Sequence, residues 1–331
     1  MKKLRLPCPK KITALCLLLA STSLLGACAP VTSAEVTARN SVLSAAALLN
    51  RPAANTENHI SASNDGIVKQ MAYESVPFQT AASTVYSRNG VIIDASTASN
   101  GYVQIKYAGA EKRLKVQIRK DSVAYNYDLN SKGVPETYSL QMGSGQYSIR
   151  VLENVSGNYY KELYNVPLAV TLSSETAPFL HANQYVNYSA SSLAAQKTAE
   201  LCAASGTDVE KLKAIYNYMI QNIKYDYDKA AKVTSSYVPN VDAVLTAQKG
   251  ICFDYSSLMA AMLRSQGIPS KVVVGSVDTL AVTHAWNEVY LQGTGWITIK
   301  IEVSKTGWNL MDSTLGASNT VGAGYTAARI Y

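Results

Sequence analysis

Cys252, His284 and Asp312 follow one another along the chain in the runs Lys249-Gly250-Ile251-Cys252-Phe253-Asp254-Tyr255, Thr283-His284-Ala285-Trp286 and Met311-Asp312-Ser313-Thr314. A thiol becomes an effective nucleophile when an imidazole takes its proton and a third group orients that imidazole. These three residues arrive in that order. The 331-residue chain has only five cysteines and three histidines. Cys8, Cys16 and Cys28 fall in the N-terminal segment, His59 in a polar stretch and His181 at the expected junction between modules. Only His284 shares a densely patterned region with a cysteine.

The elements that must position the trio can be read from periodicity. Residues 251–266 have the spacing of a buried helix that Gly267 and Pro269 stop, so Cys252 falls in its first turn. There the helix dipole favours thiolate over thiol and should lower the thiol pKa. Gly250 allows a tight turn before it. His284 opens a strand over 284–291, on which it shares a face with Trp286, Glu288 and Tyr290. Asp312 follows the apolar Leu310 and Met311, where a carboxylate could reach the far nitrogen of the imidazole. Each residue also has a plainer reading: a small core cysteine, a hydrogen-bonded structural histidine, a turn or cap aspartate.

Around the trio, Gln248 could supply an oxyanion donor beside the Cys252 amide, or be a surface residue at a helix end. Trp286 could wall a pocket or pack the sheet, and Tyr255, like Tyr225, could line the cleft. Asp254 and Glu288 make no metal set with any histidine, so no metal and no cofactor is expected. Cys202 could form a disulfide with Cys252, which would consume the nucleophile.

Further helices are expected over 194–204, 209–223 and 241–247, the last capped by Asn240, and further strands over 271–277, 296–303 and 308–311. This half is α+β, with helices first and an antiparallel sheet after. Upstream the period changes to two. Seven short strands, over 91–95, 102–107, 114–119, 123–127, 137–141, 147–152 and 163–172, are separated by Gly-containing turns and argue for a β-sandwich.

The N-terminus carries Lys2, Lys3, Arg5, Lys10 and Lys11 and then the apolar run 12–27, the pattern of an export signal. Its end, Leu25-Gly26-Ala27-Cys28, resembles a bacterial lipoprotein signal, which implies lipidation of Cys28; the alternative is an ordinary signal cut after Ala27. Removing the signal takes the net charge from +7 to about +2. No basic, aromatic-interleaved block then remains, so no nucleic-acid partner is expected. The organisation read here is a lipoprotein signal over 1–27, a tether over 28–65, a β-sandwich-like domain over 66–180 and an α+β domain over 190–331.

The segments Gly250-Ile251-Cys252-Phe253-Asp254-Tyr255-Ser256, His284-Ala285-Trp286-Asn287-Glu288-Val289-Tyr290 and Asp312-Ser313-Thr314 resemble the three core motifs of the transglutaminase-like superfamily, in order and with the Gly-Ile-Pro turn between the first two. The resemblance runs over roughly 193–315. It implies a papain-like α+β core with Cys252 as nucleophile, His284 as base and Asp312 as orienter. Ser313 stands where the family commonly has proline, a turn-shaping position.

The function expected is an amide hydrolase or acyltransferase working through a Cys252 thioester. Its substrates would be peptides, proteins or cell-wall peptides, met by an exported enzyme anchored through lipid on Cys28 to the outer face of a bacterial cell membrane. The alternatives are a protein-crosslinking transglutaminase and a non-catalytic surface binding module.

Overall fold

The computed structural model describes residues 4–5, 77–79, 83–234, 236–277, 280–299, 303–304, 307–308 and 325–331. Cys28 and Asp312 lie outside the described residues.

The upstream half is a β-sandwich. One sheet orders β2 (Val85–Arg88), β3 (Val91–Asp94), β4 (Tyr102–Tyr107) and β7 (Glu136–Ser139). The other orders β1 (Leu4–Arg5), β9 (Tyr159–Val170), β8 (Gly145–Ser156), β5 (Leu114–Lys120) and β6 (Val123–Leu129). Every pairing in the two sheets is antiparallel. Val91, Ile93, Val103 and Ile105 of the first sheet meet Val116, Ile118, Ile149 and Val151 of the second in one buried cluster, as alternation of apolar residues requires. All seven expected strands are present, and β1 and β2 add two that the alternation did not suggest. Asn89 and Gly90 join β2 to β3 with both residues at positive φ, the two-residue turn that Asn-Gly favours.

The downstream half begins with helices α1 (Leu193–Leu201) and α2 (Asp208–Asn222). In α2 the Thr207 side chain caps the Glu210 amide while Glu210 reaches back to the Thr207 amide, satisfying donors that a helix start leaves open. Next come β10 (Lys224–Tyr225), α3 (Tyr227–Lys232), α4 (Val241–Ala247), β11 (Lys249–Gly250) and α5 (Cys252–Ser265). In α5 every residue from Asp254 to Arg264 is buried. It ends as Gly267, at φ 74°, turns the chain, with Ile268 N–H donating to the Leu263 carbonyl and Gly267 N–H to Arg264.

A four-stranded antiparallel sheet lies against α5, ordered β14 (Gly295–Ile299), β13 (Leu280–Leu291), β12 (Ser270–Val277) and β17 (Tyr325–Ile330). The short pair β15 (Val303–Ser304) and β16 (Gly307–Trp308) forms a separate hairpin. Strand β13 starts four residues before the expected 284. β17 was not anticipated: it closes the β12 edge, and Gly275 admits it, since a Cβ there would stand 2.0 Å from the Thr326 carbonyl oxygen.

Among the described residues, the two halves meet around Tyr331, Arg329 and Arg264. The Tyr331 ring contacts Tyr185 at 4.4 Å and Tyr125 of β6 at 5.7 Å between centroids. The Arg329 guanidinium donates to the Ala124 carbonyl. The fully buried Arg264 donates to the carbonyls of Ser270, His181 and Tyr331.

His181, packed on Tyr102, makes this contact sensitive to acid. Burial and then the nearby Arg264 guanidinium lower its pKa from 6.5 to about 3. The folded protein therefore keeps the imidazole neutral where the unfolded chain protonates it. This contribution is fully present above the unfolded pKa and drains away as pH falls through the window from 6.5 towards 3. A loss of about 2 kcal/mol is expected between pH 6.5 and 5. Urea unfolding at stepped pH checks this, and His181→Asn should flatten the dependence over that range.

Candidate active site

The site is built where two short strands deliver the chain to the start of α5. β10 and β11 pair in parallel, Lys224 with Lys249 and Tyr225 with Gly250, and the Gly250 carbonyl accepts from Asp226 N–H. Gln248 closes α4 in the left-handed conformation, at φ 51° and ψ 32°, which costs a residue with a Cβ about 1–2 kcal/mol. Its side chain is exposed and its carbonyl accepts from Lys224 N–H. Ile251 then caps α5 and Cys252 is its first residue, the position that periodicity predicted.

Three backbone amides, those of Ala285, Phe253 and Cys252 itself, lie against the thiol and favour its ionised form. Burial acts the other way and is the largest influence; the nearby Asp254 charge adds to it, and the thiol is pushed up from its ordinary value. The expectation of a lowered pKa is corrected on this point. The helix-start amides pull as expected, but desolvation by the packed core outweighs them. The thiol therefore rests protonated, and its use as a nucleophile requires a base. Cys202 is also free and buried, so the two cysteines are not bonded to each other.

The Ala285 amide beside the sulfur belongs to β13, next in sequence to His284. In β13, His284 pairs across from Gly275 and Ala285 from Val274. Asn287 binds the strand to α5 by donating to the Ser256 carbonyl at 2.9 Å, while Val289 and Leu291 join the α5 core cluster. His284 is half-buried and Trp286 almost fully so, at 2 % exposure. Glu288 instead pairs with Lys271, whose ammonium lies 3.7 Å from the Trp296 ring centroid. Tyr255 is buried and donates its hydroxyl to the Ile223 carbonyl, which sets its ring in the core between α5 and the end of α2.

Sequence reasoning missed a polar cluster beside the thiol. Asp254, fully buried one position past Phe253, accepts from Ile251 N–H at 2.8 Å, from Lys229 Nζ at 2.6 Å and from the Tyr237 hydroxyl. Gly250 is fitted to it, since a Cβ there would stand 2.6 Å from the Asp254 Cβ. A carboxylate three residues after a helix cap was the available signal. Lys229 gave none, because α3 lacks an apolar stripe. Among the described residues no group of His, Cys, Asp and Glu could hold a metal ion. No described helix is long and apolar enough to cross a membrane.

A cysteine at the first turn of a buried helix, laid against an antiparallel sheet in an α+β module, is the arrangement of a papain-like core. Residues 195–301 match the family described as the Transglutaminase-like superfamily. The chain is 28 % identical over 129 residues to the human kyphoscoliosis peptidase, covering 36 % of this chain and 17 % of that protein. It is 23 % identical over 242 residues to the uncharacterized protein YebA of Bacillus subtilis, covering 61 % of this chain and 33 % of that one. The chain thus spans a third or less of the length of these relatives. Among solved structures, the periplasmic domain of TgpA from Pseudomonas aeruginosa aligns with 65 % of this chain and 96 % of its own, at 14 % identity and a TM-score of 0.30.

Proposed function

We propose that the protein is a cysteine-dependent amide hydrolase in which Cys252 is the nucleophile, His284 the base and Asp312 the group that orients His284. The observation that carries the reading is the Cys252 thiol held against the Ala285 amide, one residue beyond His284. His284 takes the Sγ proton as sulfur adds to the amide carbonyl carbon. The C–N bond then breaks, the leaving nitrogen takes that proton, and a thioester remains. Water, deprotonated by the same imidazole, attacks the thioester; carboxylate is released and Sγ regains its proton. The amides around the sulfur, and Gln248 at the turn before it, are candidate donors to the oxyanion, and Trp286 a wall of the acyl pocket.

Peptides or cell-wall peptides are the proposed substrates of an enzyme exported and anchored through lipid on Cys28 at the outer face of a bacterial membrane. Hydrolysis is favoured over crosslinking because water outcompetes an amine unless a dry acceptor channel excludes it. Intact-mass analysis after incubation with peptide and cell-wall peptide mixtures should reveal an acyl adduct on Cys252, abolished by prior iodoacetamide treatment. Free carboxylate should persist when an amine is added. Ammonia release with amine incorporation would replace the hydrolase by a crosslinking enzyme, and absence of any adduct on protein whose Cys252 still alkylates would leave a binding module.

A further inference from the structure

We propose that Lys229 is a positioning residue for the nucleophile, its ammonium offsetting the buried Asp254 charge so that Cys252 can ionise; this rests on Cys252 being the nucleophile. Asp254 is fully buried in the first turn of α5. A carboxylate taken out of water must be paired or protonated. Its hydrogen bond from Ile251 N–H holds the turn that presents the thiol, so the charge is part of the helix start. It is also an anion close to a thiol that must become an anion, and like charges disfavour one another. The protein thus gains a cap at a cost to thiolate formation.

Lys229 meets that cost from outside the helix. Its Nζ lies 2.6 Å from Asp254 Oδ2 and it donates to the Tyr237 hydroxyl as well. Asp226 fixes its helix by accepting from Lys229 N–H. Among the described residues, the charged and titratable groups around the α5 start are Asp254 and Tyr255 on the helix, His284 on β13, Tyr225 on β10, Lys229 and Tyr237 facing Asp254, and the Lys249–Asp226 pair beside β11. Lys249 is already paired with Asp226 and more than half exposed. Among the described residues, Lys229 is the cation in contact with Asp254.

The test reads the pH dependence of Cys252 alkylation by iodoacetamide, located by peptide mapping on the full chain, which needs no substrate. Lys229→Gln keeps a donor to Asp254 and removes the charge; the midpoint should rise by about one pH unit, slowing alkylation about tenfold below it. Lys229→Arg should restore the parent midpoint. Lys229→Gln with Asp254→Asn removes both charges and should also return close to it. A purely structural lysine would lower thermal stability and leave the midpoint in place, and that result overturns the proposal, as does a double variant that keeps the shift. If Lys229→Gln does not fold, Asp254→Asn decides alone, since leaving Lys229 unopposed should lower the midpoint and an unmoved one refutes the idea. An inert Cys252 in the acyl-trapping experiment would sink the hydrolase reading and leave this charge coupling measurable.

Discussion

Cys252→Ala should lower amide turnover by at least about four orders of magnitude, because it removes the atom that forms the thioester in the proposed mechanism. The substitution removes one sulfur from a half-buried site, so folding should change by no more than about 1 kcal/mol. His284→Ala should lose nearly as much activity. The thiol rests protonated under the influence of burial, and without a base the thiolate forms too rarely to sustain turnover. Groups that act as one unit are strongly non-additive, so the double variant should be no slower than Cys252→Ala. Initial rates on a fluorogenic peptide, with circular dichroism to verify folding, supply the measurement. Retention of more than about one hundredth of parent activity in Cys252→Ala would remove the covalent mechanism, against an expectation set by nucleophile deletions in other hydrolases.

Arg264→Met should be the most destabilising single change in the downstream half, costing about 3–5 kcal/mol. Methionine matches much of the stem volume but removes the guanidinium donors to the carbonyls of Ser270, His181 and Tyr331, of which Tyr331 keeps its bond from Val272 N–H. Burial lowers the Arg264 pKa from 12.5 to about 10, so the guanidinium stays charged near neutrality and each lost bond is charge-assisted. Lysine, with a single donor nitrogen, should recover part of the loss and no more. Chemical denaturation gives the numbers, and a loss under about 1 kcal/mol would mean that water replaces the guanidinium freely.

Legibility in the sequence followed the range of the interactions involved. Helix α4 was readable end to end because Asn240 caps it from the adjacent position, its side chain accepting from Ala243 N–H. Cys252 at the first residue of α5 was readable for the same reason, since Gly250 and the apolar period after it fix the boundary. The sandwich strands announced themselves through alternation, and their bounds moved by a few residues where β8 and β9 extend past the alternating part into bulges. Helix α3 escaped because Tyr227-Asp228-Lys229-Ala230-Ala231-Lys232 buries no residue, so no stripe marks it. β17 escaped because Ala327 and Ala328 carry little strand preference, and what orders it is the β12 edge.

At the site, the Lys229–Asp254 contact joins residues 25 positions apart, and no local spacing encodes it. The elevated thiol pKa was hidden for a related reason. The dipole at a helix start is a property of the helix itself, whereas desolvation of Cys252 depends on everything packed around it.

β17 also has a kinetic consequence. Its Arg329 and Ile330 bind Ala124 and Tyr125 across 205 positions of chain, the kind of long loop whose closure entropy must be met before the contact rewards it. Contacts of that separation form late in folding, so β17 should join after the sandwich and the α5 cluster have each collapsed. In the native state the same strand holds the β12 edge and the contact between the halves together, so an opening that releases one should release the other in a single sub-global step, visible as shared hydrogen-exchange rates in Val272 and Ile330.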